Sequence, residues 1–357
     1  MNSTLSKSAI KRHWWKAIGV ALVIYALTAG LLAPLKPGIL TASPQLLRAG
    51  TAVAMQVQGY NSFYLQSGGK IRAWLKLDNT HALAATSVKP LSETMLELSF
   101  DIPAVLPIQS KTTAMSLILD NPTDGPSVLP SAVSVTQENV DSLAGAAIWP
   151  QSNIENLNPG PAGIRFPFRN ILYETIRNTY FHVALWFAMI LLFLPSVWHS
   201  ARYLRHFNPE DDHRATAFTR VGVLFGVLGL ITGAIWAKHT WNAYWSWDVK
   251  QNMTAIALFI YIAYFILRAA FTDSERKARL AAVYNLFAFT ALIPLIFVIP
   301  RLTDSLHPGA GGNPALGGED LDNTMRMVFY PAIIGWTLLG VWMAQLNYRM
   351  DRLSEDQ

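Results

Sequence analysis

Residues 233–250 read GAIWAKHTWNAYWSWDVK, a stretch that sets Trp236, Trp241, Tyr244, Trp245 and Trp247 beside an acid, Asp248, and a base, Lys250. Four of the chain's 12 tryptophans lie within it, so the clustering calls for an explanation. Indole and phenol rings gather at membrane–water interfaces, and an aromatic belt is one explanation. The other is a ligand platform, because a flat apolar surface with a polar rim suits a planar macrocycle carrying charged propionates. A belt needs only a few rings per helix end and no adjoining acid and base, which favours the platform. Asp248 could equally cap the helix that follows. Lys250 could neutralise an acidic ligand or simply sit at the interface. His182 and His307 flank the segment; taken alone, one is a polar residue at a helix end and the other a loop residue before proline. His239, inside the platform, could hydrogen-bond a ligand.

The elements that must position these residues are membrane-spanning. The chain is 52% hydrophobic and 14% charged, well below the usual quarter of charged residues in soluble domains. Six apolar runs, 17–35, 181–198, 221–237, 253–271, 280–299 and 327–346, come near the ~20 residues a helix needs to cross the hydrocarbon core. The first run is expected to be a retained anchor. It is longer than a signal-peptide core, and Pro34-Leu35-Lys36-Pro37 replaces a small-residue cleavage site.

Lys and Arg near span ends favour the cytoplasmic side. Lys7, Lys11, Arg12 and Lys16 precede the first span, and Arg202, Arg205, Arg214 and Arg220 join the second to the third. Arg268, Arg276, Lys277 and Arg279 join the fourth to the fifth, and Arg349 and Arg352 follow the sixth. Both termini are therefore expected inside the cytoplasmic (inner) membrane, with segments 36–180, 238–252 and 300–326 outside. That puts His182, His307 and the aromatic segment on one face. His199 follows His182 by 17 residues, about 25 Å along a helix, at the wrong depth to join it. The net charge of +5 reflects these anchors rather than nucleic-acid binding. With no cysteine, disulfides, thiolate metal sites, thiol exchange and thioether attachment of haem are excluded.

The segment after the first span is too long for a loop. Ile71, Ala73, Leu75 and Leu77 alternate with Arg72, Trp74 and Lys76, and Leu96, Leu98, Phe100 and Ile102 alternate with Met95, Glu97, Ser99 and Asp101. Shorter runs at 53–57, 115–119 and 133–135, with turns at 67–69 and 121–125, complete the pattern of a small antiparallel sandwich. Beyond Gln137 it fades into a Pro-, Gly- and Asn-rich connector at 156–168. His81 and the scattered acids are surface residues, and nothing in this domain looks catalytic. The fold expected is an all-α polytopic membrane protein of six transmembrane helices with an inserted extracytoplasmic mainly-β domain. Its parts are residues 1–35, 36–170 and 171–357, the last holding the aromatic loop at 236–250.

Gly233, Ala234, Trp236, Ala237, Trp241, Tyr244, Trp245, Trp247, Asp248 and Lys250 resemble the WWD signature of the CcmC and CcsA haem-handling proteins of cytochrome c biogenesis. Asn242 stands where glycine is usual, Val249 where proline or alanine is common, and Gln251 where an acid often follows. Tyr180-Phe181-His182-Val183 resembles the family's YxHV motif, and Ser305-Leu306-His307-Pro308 its second histidine motif. The resemblance covers residues 17–35 and 170–350 and leaves out the β domain.

It implies that His182 and His307 are axial ligands of a non-covalently held, b-type haem iron resting on Trp236, Trp241, Tyr244, Trp245, Trp247, Asp248 and Lys250. It implies haem delivery for c-type cytochrome maturation, by a chaperone with no catalytic residue of its own rather than an enzyme. A CcmC-like chain would pass haem to a chaperone resembling CcmE beside an ABC transporter complex. A CcsA-like chain would act with a ResB-like partner as a haem lyase that attaches haem to apocytochrome c. Of unrelated classes, a b-cytochrome redox protein needs histidine pairs at both depths, and a transporter usually keeps ionisable groups inside its spans. The sequence shows neither. The β domain, lacking clustered aromatics and cysteine, is expected to recruit a partner.

Overall fold

The computed structural model describes residues 2–170, 172–307 and 321–355, with side chains from His13 to Ser354. Pro308 of the second histidine motif, and the side chains of Lys7, Lys11 and Arg12, lie outside the described residues. The chain forms two compact units, Pro34–Tyr173 and Met1–Ala33 with Glu174–Gln357.

The first unit is mainly β. Its elements are β1 (Gly38–Ser43), β2 (Leu46–Arg48), β3 (Ala52–Tyr60), α2 (Tyr64–Ser67), β4 (Arg72–Lys76), β5 (Ala82–Ala84), β6 (Ser87–Pro90), β7 (Met95–Asp101), β8 (Thr112–Asn121), β9 (Gly125–Thr136) and α3 (Ser142–Ile148); helix α1 (Asn2–Leu32) precedes them in the other unit. Two sheets form, in the orders β1-β3-β7-β6 and β2-β9-β8-β4-β5. Between them lie Met55, Val57, Leu75, Leu96, Leu98, Phe100, Leu117 and Val135. The alternation of β7 holds, with Leu96, Leu98 and Phe100 fully buried.

One expectation is corrected. The sandwich is not wholly antiparallel, because Pro44-Gln45 carries the chain from one sheet to the other and β2 joins β9 in parallel. Trp74 points away from the core between the sheets, as the alternation of β4 predicts, and is covered on that side as well. At 3% exposure it packs with Ala82 and Ile118 under Ile154 on the second face of its sheet, its Nε1 donating to Asn153 Oδ1 at 2.9 Å. Between Gln137 and the connector, Asp141 caps α3 by accepting from Leu143 N and Ala144 N.

The second unit is helical, with α4 (His182–His206), α5 (Pro209–Trp241), α6 (Val249–Ala269), α7 (Ser274–Ile293), α8 (Ile299–Leu302) and α9 (Asn323–Glu355) after α1. Among the described residues six helices are long and apolar enough to cross a membrane, as a multi-pass membrane protein requires. The fifth passes from α7 through a π turn at Pro294–Val298 into α8, where Pro294 and Pro300 lack the N–H a regular ladder needs.

Lipid gives helices no hydrophobic reason to associate, so close packing and polar contacts must hold them. Along α5, Gly222, Gly226, Gly229 and Gly233 face Phe193, Met189, Trp186 and His182 of α4, each so near that a methyl group would clash. Deeper in the bundle Asn285 Nδ2 donates to Ser196 Oγ and Ser200 Oγ, both at 2.8 Å. At the α4–α5 turn, Asn208 caps α5 and Pro209 occupies its first position. There Asp211 meets His199 Nδ1 at 2.6 Å, and Asp212 takes a two-pronged bond from Arg268 at 2.6 and 2.8 Å.

Candidate haem site

The glycine seam ends at His182, the first residue of α4. Its Nδ1 lies 2.8 Å from the backbone oxygen of Gly229 and 3.3 Å from Thr232 Oγ1. A carbonyl oxygen only accepts, so Nδ1–H is the donor and the lone pair of the neutral ring sits on Nε2. A Cβ at Gly233 would fall 2.6 Å from His182 Cε1, so the absence of a side chain there is what admits the ring.

His307 is held by Asp248. The carboxylate accepts from His307 Nδ1 at 2.9 Å, from Leu306 N at 2.8 Å, and from the Ser305 hydroxyl at 3.0 and 2.9 Å. It also caps α6, accepting from Lys250 N at 2.9 Å. Its side chain is 2% exposed. Burial opposes its ionisation, yet the bonds from the Leu306 N–H, the Ser305 hydroxyl and the Lys250 N–H hold the carboxyl below the usual carboxylate range. Burial pushes the His307 imidazolium down; Asp248 opposes that, Lys250 adds to it, and the ring ends below its ordinary value. His307 is thus a neutral imidazole with Nδ1–H committed to a carboxylate and Nε2 unprotonated. Such an arrangement orients a metal-ligating histidine.

Both rings rest on the last turns of α5. His182 lies on Gly229 and Gly233; His307 lies against Trp236, with ring centres 5.6 Å apart, and against Trp241 at 4.7 Å. Trp236 and Trp241 meet edge to face at 4.9 Å. Tyr244, Trp245 and Trp247 form a second group, with Trp245 and Trp247 edge to face at 6.4 Å and Lys238 Nζ 5.8 Å from the Tyr244 ring. Lys250 follows in the first turn of α6, its N–H bonded to Asp248.

Asn242 ends α5 in the left-handed region at φ 60°, a conformation asparagine shares with glycine. Lys238 Nζ fixes it, donating to its backbone and side-chain oxygens at 3.1 Å. His239 is exposed, and His199 is engaged with Asp211 instead.

Sequence reasoning missed Gly229, Ser305 and the exact partner of Asp248. The 4-3-4 spacing of Gly222, Gly226, Gly229 and Gly233 was a visible sign of a helix seam. Nothing in the linear order signalled that Asp248 reaches Ser305.

A family model described as heme exporter protein C matches residues 170–357, more than half of the chain. The heme exporter protein C of Haemophilus influenzae is 31% identical over 140 residues, 39% of this chain and 56% of that protein. That of Bradyrhizobium diazoefficiens is 30% identical over 172 residues, 48% of this chain and 62% of that protein. A cytochrome c biogenesis protein CcsA of a Synechococcus strain is 39% identical over 79 residues, 22% of this chain and 26% of that protein. The chain thus spans somewhat over half the length of the two heme exporter proteins it matches. With the matched segment carrying both histidines, the glycine seam and the aromatic loop, this chain belongs to the CcmC family of heme exporter proteins C.

Proposed function

We propose that the chain holds haem at the extracytoplasmic face of the inner membrane, iron between Nε2 of His182 and Nε2 of His307, and passes it on for c-type cytochrome maturation. The observation that carries this is the matched commitment of the two Nδ1 atoms, one to Gly229 O and one to Asp248. Each ring is left with one lone pair, and both rings sit on the last four turns of α5, His182 on Gly229 and Gly233 and His307 on Trp236 and Trp241. Two imidazoles alone are a sparse site for a bare ion. Added to four porphyrin nitrogens they complete six-coordinate iron.

Trp236, Trp241, Trp245 and Trp247, with Tyr244, supply the apolar surface for the macrocycle, and Lys250 a cation for a propionate. Asp248 acts on haem through His307, because its oxygens are already occupied. The Lys and Arg distribution supports the outward placement of this end and cytoplasmic termini. The relatives' description as heme exporters supports delivery to an acceptor resembling CcmE, beside an ABC transporter. The CcsA match supports a second reading, with a ResB-like partner and apocytochrome c as recipient.

The test is an absorption spectrum of detergent-purified chain from haem-replete cells. A low-spin bis-histidine Soret band is expected. His182→Gly and His307→Gly should each lose it and regain it with added imidazole. Low-spin spectra in both variants without imidazole would refute the ligand assignment.

A further inference from the structure

We infer that Gln251 and Asn252 are positioning residues that hold Trp247 in a strained, outward conformation as a preset contact for the haem macrocycle; this rests on the haem reading above. Trp247 has φ 59°, a left-handed backbone that bulky side chains avoid. Its indole is 79% exposed, the largest exposure among the aromatic residues of the loop.

Such a conformation persists only where neighbours over-determine it, and the first turn of α6 does so at three successive residues. Gln251, itself 7% exposed, accepts from Ser246 N at 2.9 Å and Ser246 Oγ at 3.1 Å. Asn252 Nδ2 donates to the Trp247 carbonyl at 2.8 Å. Asp248 is fixed immediately after by Lys250 N. With Ser246, the Trp247 carbonyl and Asp248 all tied down, the peptide cannot relax, and the indole must project away from the helix. Burying that ring in the bundle would have been the cheaper use of a tryptophan. Exposure combined with backbone strain, beside two prepared imidazoles, suits a ring that waits for a flat apolar ligand.

The inference separates stability from function at one residue. Trp247→Gly relieves the backbone and removes the ring, so the haem-free protein should melt at a higher temperature while haem is lost about tenfold faster. Asn252→Ala should also speed haem loss about tenfold, with the low-spin bands unmoved because both histidines stay in place. Asn252→Asp, equal in size but offering only acceptors to the Trp247 carbonyl, should behave like Asn252→Ala. In the Trp247→Gly background, Asn252→Ala should add nothing further. Haem loss is followed by transfer from full-length detergent-purified chain to excess apomyoglobin.

Normal haem retention in Asn252→Ala, or a Trp247→Gly variant that melts lower or retains haem as the parent does, would overturn the inference. A parent chain without a Soret band would instead overturn the haem reading on which it stands.

Discussion

Replacing Gly233 by alanine places a methyl carbon 2.6 Å from His182 Cε1 and 3.1 Å from Nδ1. Carbon atoms rest comfortably at about 3.5 to 4.0 Å, so the ring must retreat by about 1 Å. That retreat stretches the 2.8 Å bond from Nδ1 to Gly229 O beyond useful length. Overpacking costs about 1–3 kcal/mol, and the lost hydrogen bond about 1 kcal/mol. In the haem-free protein the imidazole can swing aside, whereas with haem bound it must stand at the iron. Most of the penalty therefore falls on affinity, a loss of roughly 30- to 1,000-fold at 1.4 kcal/mol per factor of ten. The assay is haem titration of haem-free protein in detergent, with imidazole added to the weakened variant. The control lies in the same seam. Gly222→Ala sets a methyl 2.4 Å from the Phe193 ring, about 16 Å farther along the helix, and should lower the melting temperature while leaving the spectrum unchanged. If Gly233→Ala keeps parental affinity and a low-spin spectrum, the seating of His182 on α5 is wrong.

Asp248→Ala removes the shared acceptor of Ser305, Leu306 and His307. A charge-assisted bond contributes about 1.5–3 kcal/mol, so haem affinity should fall by about 10- to 150-fold, with partial rescue by imidazole in the same titration. Trp241, Trp245 and Trp247 replaced together by alanine should shorten haem retention measured by transfer to apomyoglobin, while Trp14 and Trp15, on α1, should tolerate the same change. Deleting Pro34–Tyr173 and closing the gap with a flexible linker should leave the haem spectrum intact and impair delivery to an acceptor, because every proposed haem contact lies in the other unit. Loss of the spectrum in a folded deletion variant would count against that division of labour.

The helices were legible because lipid demands an unbroken apolar stretch, and no other soluble or fibrous fold leaves six of them. Their ends were less so. α5 and α9 each extend to 33 residues, well past the apolar runs, since caps such as Asn208 and ion pairs such as Asp212–Arg268 let polar turns continue a helix. In the β unit, β7 was readable from strict alternation. β4 was readable by the same alternation, although its second face is covered too, at Trp74. β1, β2, β5 and β6 are short, edge-like or interrupted by proline, and their pairing comes from distant partners rather than from their own composition.

The site divides in the same way. The aromatic loop and the histidines announced themselves by residue type and motif, and the seat of His182 was written in the 4-3-4 glycine spacing of a single helix. The clamp on His307 was not legible, because Asp248 and His307 are 59 residues apart and meet only once α6, α7 and α8 have folded the chain back. From the sequence, an acid next to the aromatic loop has two apparent uses, capping the following helix or meeting the ligand. The geometry shows how one carboxylate can do the first and still govern the site. It caps α6, and its remaining lone pairs fix three consecutive residues, Ser305, Leu306 and His307. His182 is set by a helix and a backbone carbonyl, His307 by a single side chain. On the haem reading proposed above, His182 would be the rigid ligand and His307 the one whose hold depends on Asp248.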